Sequence, residues 1–218
     1  MLKLYSKRKA ARIVERYADW IGQLSLRYGI PAACVKAILY KELIEIDLLD
    51  PAADLAVRLY WLRRRLRPAA GTAPTAPNGK RGLLNKRDSS TGYGQIFGAV
   101  AILALNFAVD RGLERYENFG FPAGRRLSPE RDEDLRQVWQ LLRRDPKANI
   151  ALAALNLLAA AEEITGQLDF ERLTPAELQQ VFTRYNADTR QITPYGQEVY
   201  RCYLRFRAQE QSPEPALV

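Results

Sequence analysis

The 218-residue chain contains no histidine. That absence removes the Ser-His-Asp triad, the Cys-His pair, the HExxH zinc site and every His-based metal triad. There are two cysteines, Cys34 and Cys202. Two are too few for a four-cysteine zinc site or a disulfide framework. They read as separate buried thiols, since no export signal is apparent. Long apolar runs are also missing: none reaches the ~18 residues a membrane span needs. The longest, Ala99 to Ala108, is interrupted by Asn106 and reads as a buried helix. The basic start, Met1 to Ala11, is not followed by a signal-peptide core and cleavage site. The expectation is a protein made in the cytoplasm that needs another route for any export. Enzyme chemistry, if present, falls to carboxylates, Tyr or Lys, with no cofactor implied.

Positive charge is in excess. There are 33 Lys and Arg against 25 Asp and Glu, a net +8, and Arg far outnumbers Lys. Such a surface draws polyanions: nucleic acid, anionic lipid or an anionic cell-wall polymer. Charge alone does not choose among them. The 47% hydrophobic content is that of a globular chain.

Proline sets the helix starts, because it fits the first turn and no later position. Pro31, Pro51, Pro129, Pro146, Pro175 and Pro194 all read this way. In five of the six the preceding residue is Asp, Ser or Thr, a good N-cap. Thr174-Pro175-Ala176-Glu177 is also a capping box. The expected helices are 5–28, 31–46, 51–66, 96–112, 129–144, 146–164, 175–186 and 194–209. The chain is mainly α, with at most a short β-hairpin near 78–95. Residues 67–90, rich in Pro, Gly, Ala and Thr, read as a long loop. Residues 1–207 form one domain, and 208–218 a frayed tail.

One carboxylate stands in a core position. In the helix from Pro31, Val35, Ile38, Leu39, Glu42 and Ile46 share a face. A glutamate in such a stripe is rare unless paired. Burial disfavours its charged form and raises its pKa, the state a general acid needs. The alternative is a buried ion pair with one of the arginines. Downstream, Asp88 to Phe97 contains Ser90, Thr91, Gly92, Tyr93, Gly94 and Gln95 before an apolar helix. This is either a tight turn or a place where backbone approaches a polar neutral ligand such as sugar. Then come Asp145-Pro146-Lys147-Ala148-Asn149-Ile150, Tyr185-Asn186-Ala187 and Tyr195-Gly196-Gln197-Glu198-Val199-Tyr200.

The order of these pieces resembles the lysozyme-like superfamily, in its soluble lytic transglycosylase and goose-type lysozyme branch. The matching segments are Ala37 to Glu42, Gly92-Tyr93-Gly94-Gln95-Ile96, Asp145 to Ile150 and Tyr185-Asn186-Ala187. The match covers roughly residues 25–205. Three positions depart from the family. Leu43 replaces a Ser, Gln95 follows Gly94 without the usual two residues between, and Asp188 replaces a Gly.

The resemblance implies a lysozyme-like helical domain that cleaves the β-1,4 bond between N-acetylmuramic acid and N-acetylglucosamine in peptidoglycan. Glu42 would be the acid, and in a transglycosylase also the base. Asp88 would place a water in a hydrolase, unless it is only a solvated loop charge. Ser90, Tyr93, Gln95, Tyr185 and Asn186 would line the sugar groove, with Tyr185 near the Glu42 carboxyl. The expected protein is a monomer with no metal. It would act on the cell wall or periplasm after signal-independent export or lysis, with an immunity protein or secretion partner. Two other functions stay open: a basic helical nucleic-acid binder, and a lysozyme-like scaffold that holds glycan without cutting it.

Overall fold

Three helices begin at the prolines expected to open them, Pro146, Pro175 and Pro194. A computed structural model describes residues 3–47, 49–66 and 86–211. Nine α-helices lie among them: α1 (Lys7–Arg16), α2 (Ala18–Tyr28), α3 (Ala32–Glu45), α4 (Leu49–Leu66), α5 (Gly98–Asp110), α6 (Asp132–Arg144), α7 (Pro146–Thr165), α8 (Pro175–Asn186) and α9 (Pro194–Gln211). The only sheet among the described residues pairs β1 (Ser90–Thr91) with β2 (Ile96–Phe97), antiparallel, with Thr91 opposite Ile96. The fold is mainly α with one short hairpin.

The caps explain the sharpest boundaries. Asp145 accepts from Lys147 N (2.9 Å) and Ala148 N (3.0 Å), ahead of Pro146 in the first turn of α7. Thr174 and Glu177 make the reciprocal box that opens α8. Each such cap is worth about 1 kcal/mol.

Several boundaries differ from expectation. The helix expected over 5–28 breaks at Tyr17, whose ring packs 5.7 Å from that of Tyr93. Ser128-Pro129 opens a turn rather than α6. Asp134 is buried and accepts from Ser128 N (2.9 Å), which curls that segment back against the helix. α5 starts at Gly98 rather than 96, because Ile96 and Phe97 pair with β1. Residues 208–211 continue α9 instead of starting the expected tail, and 212–218 lie outside the described residues. Of the expected loop, 67–85 also lie outside them, 86–89 are irregular and Ser90 belongs to β1. The expected hairpin window, 78–95, overlaps the observed hairpin only at its end.

One buried apolar cluster runs from Ala10 to Phe206. Its two axes are α3 and α7. α7 packs against α2, α3, α5, α6 and α8, which its alanines permit. Among the described residues it is also the one helix apolar and long enough to cross a membrane, contrary to the expectation that no run reaches that length. Its burial on all sides is that of a core helix. α3 packs against α1, α2, α7 and α9. Both cysteines are free thiols, Cys34 buried in α3 and Cys202 only half-buried.

Candidate functional site

Glu42 sits near the end of α3. That helix is not the one-faced stripe its spacing suggests, because Ala33, Cys34, Ala37, Tyr40, Lys41 and Leu43 are buried as well. Covered on several sides by other helices, α3 presents its last full turn to a groove. Glu42 is 8% exposed and lines that groove. Burial pushes its carboxyl up to about 7; the Tyr195 hydroxyl and Lys41 pull it down less strongly, and Glu45 and Asp50 raise it. Tyr195, in the first turn of α9, donates to Glu42 Oε1. Oε2 has no hydrogen-bond partner among the described residues, and no Arg or Lys pairs with Glu42 there. Lys41 points to Glu45 and Glu198 instead. The expected alternative for Glu42, an arginine ion pair, is not made among the described residues.

The hairpin turn forms the opposite wall. Asn149, fully buried in the first turns of α7, accepts from Gly94 N (2.7 Å) and donates to Thr91 O (3.0 Å). Tyr185 donates to Gly94 O at 2.6 Å. These three bonds press the turn onto α7 and α8. A Cβ at Gly92 (φ 73°) would overlap the Asn149 side chain, and one at Gly94 would sit 2.8 Å from Ala153 Cβ. Both glycines are therefore required by close approach. Gln95 adopts φ 43°, a conformation non-glycine residues rarely hold without surrounding support. Its Nε2 donates to Gly92 O (2.8 Å), which leaves Oε1 as an acceptor at the groove.

A second carboxylate anchors the hairpin from behind. Asp54 of α4 accepts from Ser89 Oγ (2.8 Å), Thr91 Oγ1 (2.9 Å) and Arg143 Nε (3.1 Å). Asp88 has a different duty. Its oxygens accept from Ser89 N (2.9 Å), Gly98 N (3.0 Å) and Ala99 N (3.0 Å). It caps α5 from outside the helix. Burial raises its carboxyl above the usual range, against the pull of those three N–H groups and Arg87.

Two grooves meet at Gln95. The first, about 230 Å³, is lined by Glu42, Gln95, Val100, Asn156, Tyr185 and Asn186 among others. Arg184 and Asp188 stand at it as an ion pair, N–O 3.5 Å. The second, about 310 Å³, runs past Ser90, Tyr93 and Gln95 toward Ile46, Asp50, Asp54 and Arg58. The structure thus gathers Glu42, Gln95, Tyr185 and Asn186 in one groove, and Ser90, Tyr93 and Gln95 in the next. Asp88 is among the lining of neither.

No protein-family model, curated protein or solved structure matches this chain.

The site is therefore read from its own geometry. Among the described residues no group of three His, Cys, Asp or Glu side chains could hold a metal. What the groove offers is a carboxyl held near half-protonation at neutral pH, beside amide and phenol groups that bind neutral polar ligands. Three positions that shape the grooves are not assigned from the sequence. Tyr195 orients Glu42, Asn149 clasps the hairpin, and Asp54 ties the hairpin to α4 and α6. Asn149 and Tyr195 lay within quoted motifs, but which side chain each meets depends on helices far away in the chain. Nothing near Asp54 marks it out.

Proposed function

We propose that the protein is a peptidoglycan-cleaving muramidase, acting as a lytic transglycosylase with Glu42 as its single acid and base. The supporting observation is Glu42 itself: a carboxyl raised to about 7 by burial, on a groove it shares with Gln95, Tyr185 and Asn186. A lysozyme-like domain of the transglycosylase and goose-type branch uses a carboxyl in this way. The order of motifs along the chain supports the same reading.

In the first step the protonated Glu42 gives its proton to the glycosidic oxygen as the C1–O bond breaks. Tyr195 holds Oε1, so Oε2 is the oxygen that faces the substrate. In the second step the muramic acid 6-hydroxyl attacks C1 and its proton passes to Glu42. The products are a new free end and a 1,6-anhydro end, and no water is consumed. The duty of Asp88 as a helix cap favours this route over hydrolysis, because its oxygens already accept three backbone N–H groups.

The test is incubation with purified peptidoglycan and mass analysis of the fragments. Anhydro-muropeptides are expected, and reducing ends would mean hydrolysis instead. No release from acid to neutral pH would overturn the reading and favour a scaffold that only holds glycan. Equal release by Glu42→Gln would remove Glu42 from the chemistry.

A further inference from the structure

Two helices carry one pattern. On α4, Arg58, Trp61 and Arg65 recur at i, i+3 and i+7; on α6, Arg136, Trp139 and Arg143 do the same, followed by Arg144. Such spacing puts each set on a single helical face. The two faces line a common groove of about 250 Å³, and no acidic residue lines it. Arg64 and Arg143 are paired, with Asp132 and Asp54. Arg58, Arg65, Arg136 and Arg144 have no acidic partner among the described residues. The stretch 67–85 that follows α4 contains no Asp or Glu either. Favourable charge at a helix end explains Arg65, Arg143 and Arg144. It does not explain Arg58 in mid-α4 or Arg136 early in α6.

The two tryptophans show what kind of ligand this groove takes. Trp139 is buried and donates to Ser89 Oγ at 3.0 Å. Trp61 is only 7% exposed, yet its indole N–H has no hydrogen-bond partner among the described residues. A buried donor left so is destabilising. Neither ring is open for a nucleobase to stack on, which single-strand binders require. What the groove offers is guanidinium, the chemistry that binds oxyanions.

The groove is also continuous with the candidate active site. Arg58 and Arg143 line both it and the hairpin groove, which in turn shares Gln95 with the Glu42 groove. We infer that the α4–α6 face binds the carboxylates of the peptide stems on a glycan strand whose sugars lie against Glu42. This rests on the glycan reading of that groove.

The test uses the Glu42→Gln protein, which cannot cut, and co-sedimentation with insoluble peptidoglycan. The peptidoglycan is used untreated and after carbodiimide amidation of its stem carboxylates, which leaves the cross-links and the insolubility intact. A second protein adds Arg65→Gln, Arg136→Gln and Arg144→Gln, and an unchanged thermal midpoint shows that it folds. With the stem carboxylates free, the added substitutions weaken binding about tenfold, in keeping with three exposed charge pairs. Amidation of the stem carboxylates weakens the Glu42→Gln protein alike and makes the two proteins equal. Equal binding of the two proteins to untreated peptidoglycan overturns the inference, as does binding indifferent to amidation of the stem carboxylates. Tighter binding to duplex DNA, lost with the three arginines, overturns it in favour of nucleic acid. Wild-type cleavage of either glycan is scored apart. Its absence defeats the muramidase reading, while sedimentation still judges the arginine face.

Discussion

Glu42 and Glu114 are both nearly buried, at 8% and 4% exposure, and their surroundings are opposite. Glu114 is held by Arg27 (2.9 Å), the Tyr28 hydroxyl, Asn118 Nδ2 (2.7 Å) and Arg115 N (3.1 Å). Both of its oxygens have partners. Among the described residues Glu42 has one hydrogen-bond partner, Tyr195, which leaves one oxygen for the groove. A saturated carboxylate is structural, since its charge is neutralised and its geometry fixed. An under-satisfied one with a raised pKa is available for proton transfer. The lesson is that burial alone does not mark a catalytic acid. The donor inventory around it does.

The largest effect should come from removing each charge in turn. Glu42→Gln is expected to lower glycan cleavage about a thousandfold, as loss of a general acid does. Glu114→Gln should leave the rate per folded molecule unchanged. A rate loss for Glu114→Gln as large as that for Glu42→Gln would collapse the distinction between them.

Stability should move the other way. The folded Glu42 keeps its proton up to about pH 7, while an unfolded glutamate releases it near 4.5. Between those values the folded state binds more protons, so stability falls as pH rises. The raised carboxyl costs about 3 kcal/mol above pH 7, and Glu42→Gln should recover that order of stability there. Urea unfolding at several pH values would show a flatter profile for the variant between 4.5 and 7. Glu114→Gln should instead lose about 2 kcal/mol, because it leaves charged and polar donors poorly matched.

The two tyrosines sharpen the same contrast. Tyr195 pulls the Glu42 pKa down through its hydrogen bond. Tyr195→Phe should therefore move the falling limb of the pH–rate profile to higher pH, with a rate loss of about tenfold at the optimum. A shift to lower pH would contradict the assigned role. Tyr28→Phe, the counterpart at Glu114, should lower stability by about 1 kcal/mol and leave the pH–rate profile in place. This is the smallest effect of the set, read by thermal unfolding.

Much of the fold was legible because its signals are local. Asp145-Pro146 and Thr174-Pro175 place helix starts through bonds that reach only two or three residues. Boundaries failed where a distant partner intervened. Asp134 drew Ser128 out of the α6 start, and strand pairing took Ile96 and Phe97 from α5. The site was legible in part. Glu42 stood out because glutamate is unusual amid Val35, Ile38, Leu39 and Ile46. Asp88 looked like a second catalytic carboxylate, and its three backbone donors on α5 and Ser89 could not be seen along the chain.

The sequence by itself determined the chemistry available: no imidazole, few thiols, many guanidiniums, and one glutamate among apolar neighbours. It also determined the helices, since periodicity and capping act within a few residues. Only the tertiary structure decided which carboxylate stays short of partners. It brought Tyr195 from α9 to Glu42, across 153 positions, and Asn149 from α7 to the hairpin. It also set the arginines of α4 beside those of α6. Burial and donor supply are sums over all neighbouring elements, so no single stretch of the chain contains them.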